Sequence, residues 1–473
     1  MRQNSATAQT LGSSTPIGAV SAETRPDAWQ RTNGAVLQRD LRHAYKTIVS
    51  AEGMYLFDSE GRPYMDAVGG AAVNIIGHGV GRVSEALAAA SASTSFVYSA
   101  VFTNPWQERL AESLSALAPV DDGKVFFCSG GSEANESAVK IARQYHLDRG
   151  RATKWKIISR GMSYHGNTLS MLGLSGRPSW SSRYSPYIAS SPRIAPAFCY
   201  RCPFSAEFPG CGTPCADDLE RSILQEGPET VAAFIAEPVS GTSLAGAVPV
   251  AGYYERIREI CDRYDILFIA DEVLTGYGRT GKPFAIEHWD AKPDILTVGK
   301  GLGSGYAPLA ACVASGRIVE TIRSTSGQYV HGFTYGGMPM ACAVGVQVYE
   351  IVEENELFDR SAEMGEHLHH RLRELAGRRD EVGDVRGIGL LAGVELVADK
   401  KTKRPFDKDH NIAKRVVEVA ETRGVLLREG TPGVNHGSGG DQIQISPPYI
   451  ITREEIDELV TVLDESIGAV LHG

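Results

Sequence analysis

Residues 294 to 305 read DILTVGKGLGSG. Asp294 opens the stretch, Ile295 to Val298 predict a short buried strand, and Lys300 follows between Gly299 and Gly301. A lysine ordinarily keeps its ammonium in water, and burial disfavours its charged form. This one stands where a core strand ends, and the glycines beside it let backbone approach a flat ligand closely. The position asks for a chemical use.

Working outward, KVFFCSG (124 to 130) predicts a strand running into a turn, and SEANESAVKIARQYH (132 to 146) follows with Ala138, Ile141 and Ala142 at helical spacing. Further strands are predicted at 154–160, 231–239, 266–273 and 309–315, with a helix at 252–264. Near-continuous apolar strands alternating with helices predict an α/β fold whose mainly parallel sheet is covered on both faces. Ligands in such sheets gather beyond the carboxyl ends of the strands, where Lys300 lies.

After about residue 345 the pattern changes: a long helical stretch leads through VRGIGLLAGVELV (385 to 397), NIAKRVVEVAETRG (411 to 424) and QIQISPPYI (442 to 450) to a last helix over 452–469. This reads as a smaller α+β domain, completed by the N-terminal hundred or so residues and their hairpin at Ser59 to Gly61. The expected division is a flexible arm at 1–35, an N-terminal part of the small domain at 36–100, a large domain at 101–344 and a C-terminal part of the small domain at 345–473.

The 473 residues, 42% hydrophobic and 22% charged, supply material for a large core. A net charge of -10 argues against a broad nucleic-acid surface, and no apolar stretch approaches a membrane span. The first thirty residues lack a continuous apolar run, so a cytoplasmic protein is expected, with a transit peptide as the alternative reading of the arm.

GYGRTG (276 to 281) satisfies a dinucleotide-binding pattern and, extended to Lys282, the core of a P-loop. A P-loop needs Ser or Thr after its lysine and a helix opening there, yet Pro283 follows. KPFAIEHWD has no helical stripe to serve the dinucleotide pattern either.

A buried lysine, the strand-end Asp271 and a glycine-rich turn before a helix suit pyridoxal phosphate. A lysine amine holds its aldehyde as a Schiff base, a carboxylate keeps its ring nitrogen protonated, and helix-terminal amides bind its phosphate. FIADEVLTGYGRTG (268 to 281) and PDILTVGKGLGSGYAPLAA (293 to 311) resemble the signature of the class III pyridoxal-phosphate aminotransferases of fold type I. CSGGSEANESAVKIAR (128 to 143), SYHGNT (163 to 168), AEPV (236 to 239) and HGFTYGGMPMACA (331 to 343) fall where that family has its other blocks, over roughly residues 40 to 470.

The resemblance implies that Lys300 carries the cofactor and then shuttles a proton, and that Asp271 pairs with the ring nitrogen. Val273 would pack on one ring face and Tyr164 on the other, with His165 beside it. Gly131 and Ser132 would hold the phosphate, completed by Thr334 from the second subunit of a homodimer. Glu237 would lie near the substrate and the ring, and Arg428 would hold an acceptor carboxylate, for which a guanidinium fork is well suited. The glycine-rich TPGVNHGSGG (431 to 440) could displace Arg428 and leave it a plain surface ion pair. Where amine-accepting members of the family carry a tryptophan this chain has GGAAVN (69 to 74), which suggests a roomier pocket.

The expected reaction is ping-pong transfer of an amino group from an amine or omega-amino acid to an oxo acid such as pyruvate. A lyase, decarboxylase or isomerase on the same cofactor is the alternative, and a non-catalytic binding protein on the same fold a more distant one. Finally, FCYRCPFSAEFPGCGTPCADD (198 to 218) carries Cys199, Cys202, Cys211 and Cys215 at spacings that suit a structural zinc, with disulfides or free thiols as the other readings. The remaining four cysteines look like small core residues.

Overall fold

The computed structural model describes residues 35–431 and 439–472. The arm expected at 1–35 lies, except for its last residue, outside the described residues, as does most of the stretch 431–440.

Three strands come early: β1 (Ile48–Glu52), β2 (Tyr55–Asp58) and β3 (Pro63–Asp66). The hairpin between β2 and β3 turns at the expected place, with Gly61 at a φ of 77°. Seven strands follow: β4 (Lys124–Cys128), β5 (Lys156–Arg160), β6 (Arg193–Ile194), β7 (Val231–Ala236), β8 (Leu267–Glu272), β9 (Ile295–Val298) and β10 (Ala310–Ala314). They form one sheet in the order β4-β10-β9-β8-β7-β5-β6.

The pairs from β9 through β6 are parallel, whereas β10 runs antiparallel to both β9 and β4. The connection 299–309 explains the reversal. A parallel return needs a crossover of roughly a dozen residues or more, usually a helix, and this segment holds only the 3-10 turn Lys300–Leu302.

Both faces of this sheet are covered, as the apolar strands require. Phe234 and Phe268 join the core on one side, Ile235 and Ile269 the core on the other. The helix Gly131–Asp148 lays Ala138, Ile141 and Ala142 on the second side, and the helix Tyr253–Arg263 lays Ile257 and Ile260 on the first. Cys128, Cys261, Cys312 and Cys342 are buried, as small core residues should be.

The C-terminal strands are β11 (Val382–Ile388), β12 (Leu391–Leu396), β13 (Val425–Leu426), β14 (Arg428–Glu429) and β15 (Asp441–Ile445). One sheet runs β11-β12-β15-β14, and β13 instead pairs in parallel with β3, Val425 opposite Met65. The two ends of the chain therefore share a sheet.

GYGRTG serves packing rather than phosphate. Gly281, at a φ of 84°, lies against Ala362 so closely that a Cβ would come within 2.8 Å of it. Arg279 is fully buried and donates to the carbonyls of Leu390 at 3.0 Å and Pro447 at 2.5 Å. One guanidinium thus ties this turn to both C-terminal segments. Among the described residues no helix is long and apolar enough to cross a membrane.

Candidate active site

Beyond the carboxyl ends of β7, β8 and β9 lies a cavity of about 270 Å³. Gly131, Ser132, Tyr164, His165, Glu237, Asp271, Val273, Lys300 and Arg428 all line it. Residues drawn from six separate stretches of sequence meet there; all but Arg428, which comes from β14 of the C-terminal sheet, lie at or just beyond a strand end or open a helix.

Asp271 is the second-last residue of β8 and is 3% exposed. Its Oδ2 accepts from Asn135 Nδ2 at 2.8 Å and lies 2.7 Å from His165 Nδ1, so that ring nitrogen carries the proton. Its Oδ1 accepts from the Val273 amide at 3.1 Å. Three neighbours thereby aim one carboxylate into the cavity. His165 sits behind Asp271 as its hydrogen-bond partner, and the buried Nε2 of the same ring has no partner among the described residues.

Lys300 begins the turn after β9 at a φ of 44°, a conformation that non-glycine residues seldom adopt. Burial, and after it the cationic Arg428, lowers its ammonium to about 8 from an ordinary 10.5, against the opposing pull of Asp271 and Glu237. Lys300 is therefore half-neutral under mildly alkaline conditions, as a nucleophilic amine must be.

The opposite wall is the N-terminus of the helix Gly131–Asp148. Its free amides favour an anion. Glycines bring backbone close: a Cβ on Gly131 would fall 2.5 Å from Val273 Cγ1, and one on Gly166 would fall 2.5 Å from Ser132 Oγ. Ser132 Oγ accepts from the Asn167 amide at 3.1 Å.

Tyr164 presents its ring to the cavity while its amide donates to Glu237 Oε2 at 3.2 Å. The other oxygen of Glu237 accepts from the Gly241 amide, also at 3.2 Å. Arg428, on β14, faces the cavity despite the following glycine-rich stretch; burial and then Arg39 push its guanidinium below its ordinary value. Ala71 lines the cavity from the small-residue segment 69–74. Thr334 is exposed and does not line the cavity of its own chain.

An amine at the mouth of a strand, a buried carboxylate fed by three donors, an anion-binding helix end and an unpartnered imidazole nitrogen fit pyridoxal phosphate. The aminotransferase class-III family profile matches residues 36–467. The chain belongs to the class III aminotransferases. It is 40% identical over 435 residues to the aminotransferase YodT of Bacillus subtilis, covering 92% of this chain and 98% of the relative. It is 36% identical to gamma-aminobutyrate transaminase 1, mitochondrial, of Oryza sativa subsp. indica, over 89% of this chain and 81% of that one. An amine transaminase from an uncultivated Pseudomonas species, solved in its PLP-bound form, superposes with a TM-score of 0.85 at 34% identity, over 92% of this chain and 98% of that one. This aminotransferase thus has the fold type I architecture of a pyridoxal-phosphate-dependent family.

The sequence reading needs one correction. Cys199, Cys202, Cys211 and Cys215 were expected to suit a structural zinc. Among the described residues no group of three or more cysteine, histidine or acidic side chains is arranged to hold a metal ion, and the four thiols are free. Cys199 lies on the 3-10 turn Cys199–Arg201 with Cys202 at its end, and Cys215 lies in the first turn of the helix Pro214–Glu226. Cys199 and Cys215 each feel Cys202 and Cys211 electrostatically, so the loop brings the thiols into one region without arranging three of them as ligands.

Asn135 and Arg177 are among the residues of this aminotransferase's site that escaped sequence reasoning. Asn135 lay inside a quoted block, three residues after Ser132, where one helical turn brings it beneath the same cavity. Arg177 had no such signal. It reaches the site by a bond from its Nε to Ser243 Oγ at 2.7 Å, across 66 residues of sequence.

Proposed function

We propose that the enzyme moves an amino group from an amine or omega-amino acid to an oxo acid such as pyruvate, by a ping-pong mechanism. The observation that carries this reading is the half-buried Lys300, its ammonium depressed to about 8, facing Asp271 across a cavity that Arg428 also lines. The relative named as a gamma-aminobutyrate transaminase supports an omega-amino acid as donor, and the neighbour named as an amine transaminase supports an amine.

Lys300, Asp271, Val273, Tyr164, the amides of Gly131 and Ser132 and the Ser132 hydroxyl would hold pyridoxal phosphate. When bound, the cofactor supplies an aldehyde that exchanges its oxygen for the donor's nitrogen and a ring that delocalises the electrons left on carbon. Lys300 Nζ would accept the proton from the substrate carbon bearing the amino group and return it during transfer. Asp271 holds a proton at the ring nitrogen, and Asn135 and His165 keep its carboxylate oriented. Arg428 binds the acceptor carboxylate, and Glu237 lies close to substrate and ring.

A homodimer belongs to the same reading. Tyr335, next to Thr334 in sequence, meets Phe96 ring to ring at 6.4 Å, and both are exposed, as are Tyr98, Val101 and Phe102 on the segment after Phe96; a second copy would cover such a surface. Thr334, exposed in its own chain, would then complete the phosphate site of the other. We read the domains as a large cofactor-binding unit over 101–344 and a smaller one from 36–100 and 345–473, supported by the pairing of β3 with β13. Eight free cysteines suit a cytoplasmic location.

The test is product identity. Protein supplemented with pyridoxal phosphate, a terminal amine and pyruvate should form alanine, and a borohydride-reduced digest should carry the cofactor on the peptide containing Lys300. Alanine absent across a panel of amines and omega-amino acids, or a modified peptide elsewhere, defeats the reading.

A further inference from the structure

Beside the catalytic cavity lies a second of about 490 Å³, and Arg177 lines both. Its side chain is held in place: Nε donates to Ser243 Oγ, and Cζ stands 4.5 Å from the centre of the Tyr164 ring. The backbone before it is held as well, since a Cβ on Gly176 would come within 2.4 Å of the Met162 amide nitrogen. Arg177 is 4% exposed, yet among the described residues its Nη2 has no hydrogen-bond partner, and Glu237 favours its charge only through space. A buried guanidinium donor left unpaired is costly, so a ligand that satisfies it binds with advantage.

A second guanidinium repeats the pattern. Arg201 lines the 490 Å³ cavity, donates from Nε to Glu395 Oε1 at 2.6 Å, and leaves its buried Nη2 without a partner among the described residues. Arg193 stands at the same cavity, and no carboxylate lines it among the described residues. The rest of the wall is largely apolar, with Met162, Phe198 and Leu244. Cations around an apolar wall, with one arginine shared between this cavity and the reacting centre, describe a pocket for an anion on an apolar stem.

We propose that this second cavity receives a carboxylate at the far end of the substrate's apolar chain, held by Arg177 and Arg201. Two forked guanidiniums match the planar, bidentate geometry of that group. The substrate class so defined, a long omega-amino acid or its oxo-acid counterpart, rests on the amino-transfer reading; the binding of the carboxylate does not.

The test separates the two. Holoenzyme is titrated calorimetrically with suberate and with octanoate, chains of equal length that differ by one carboxylate. Suberate should bind at least about tenfold more tightly, the advantage of charge-assisted bonds to a second anion. In Arg201→Gln that advantage should fall to about twofold or less, and Arg201→Lys, which keeps the charge but loses the fork, should restore part of it. Folding of the variants is checked by thermal melting; Glu395 keeps Arg386 as a partner at 3.0 Å. With pyruvate as acceptor, the preference in kcat/KM for 8-aminooctanoate over octylamine should drop in parallel. Suberate binding no better than octanoate, or an advantage that survives in folded Arg201→Gln, overturns the proposal. Selective suberate binding without any amine turnover would leave the pocket standing and remove the amino-transfer reading.

Discussion

Asn135 Nδ2 donates to Asp271 Oδ2 at 2.8 Å and to the His165 carbonyl at 2.7 Å, while its Oδ1 accepts from Thr297 Oγ1, also at 2.7 Å. One buried amide therefore joins the helix that opens at Gly131 to the strand-end carboxylate of β8 and to β9. The group that positions the ring nitrogen's partner and the helix end that meets the phosphate move as one unit.

Asn135→Ala should strip a donor from Asp271 and leave Thr297 Oγ1 only its longer contact, 3.5 Å, to Asp271 Oδ1. A hydrogen bond to a charged group contributes about 1.5–3 kcal/mol. The expected outcome is coenzyme retention weaker by about tenfold to a hundredfold, read from the absorbance of protein dialysed against graded pyridoxal phosphate. Asn135→Asp should be worse, because it sets a second carboxylate beside Asp271. Retention equal to wild type in the alanine variant would mean that the amide does not couple the two elements.

Gly131→Ala tests the contact between the helix end and the ring-packing valine. The new methyl would stand 2.5 Å from Val273 Cγ1, well inside contact distance. The expected cost is about 1–3 kcal/mol of stability, the usual range for overpacking, with weaker coenzyme binding. Val273→Ala removes the clashing methyl, so the double variant should recover most of the loss in a thermodynamic cycle. Additive losses would place the damage elsewhere.

Lys300 and Asp271 were legible because strand-end positions follow from the apolar runs that precede them, and family blocks fixed their partners. Strand polarity was not: hydropathy is blind to direction, so the reversal of β10 shows only in the short connection 299–309. Asn135 was quoted but not recognised, since an asparagine inside a helix carries no periodic signal. Arg177 was invisible for a different reason, its placement depending on Ser243 and on the crowding at Gly176. The zinc reading is not supported because cysteine spacing can bring thiols into one region, as it does here, without setting them at ligand geometry.

Arg428→Gln should separate acceptors by charge. A guanidinium that meets a carboxylate through charge-assisted bonds contributes about 1.5–3 kcal/mol. The ratio of kcat/KM for pyruvate to that for a neutral aldehyde acceptor should therefore fall by about tenfold to a hundredfold, chiefly through the KM of pyruvate. Arg428→Lys should lie between, since a lysine keeps the charge without the fork. An unchanged ratio would assign the acceptor carboxylate to another cation of the cavity.

The pH dependence of the apoprotein's stability reports on Lys300 directly. Its ammonium falls from an ordinary 10.5 to about 8 on folding, chiefly because burial disfavours the charge. The folded state therefore binds this proton less well than the unfolded chain, and the amine destabilises the fold wherever the unfolded chain is protonated. The cost is full below about 8, shrinks as the pH rises toward 10.5, and vanishes above that. Lys300→Met should accordingly stabilise the apoprotein by roughly 1–3 kcal/mol near neutral pH, with a gain that declines through this window. Urea unfolding of both proteins, freed of coenzyme, at a series of pH values from 7 upward measures it. A gain that stays constant across the series would mean that the methionine acts by packing alone and that the amine is not held against its charged form.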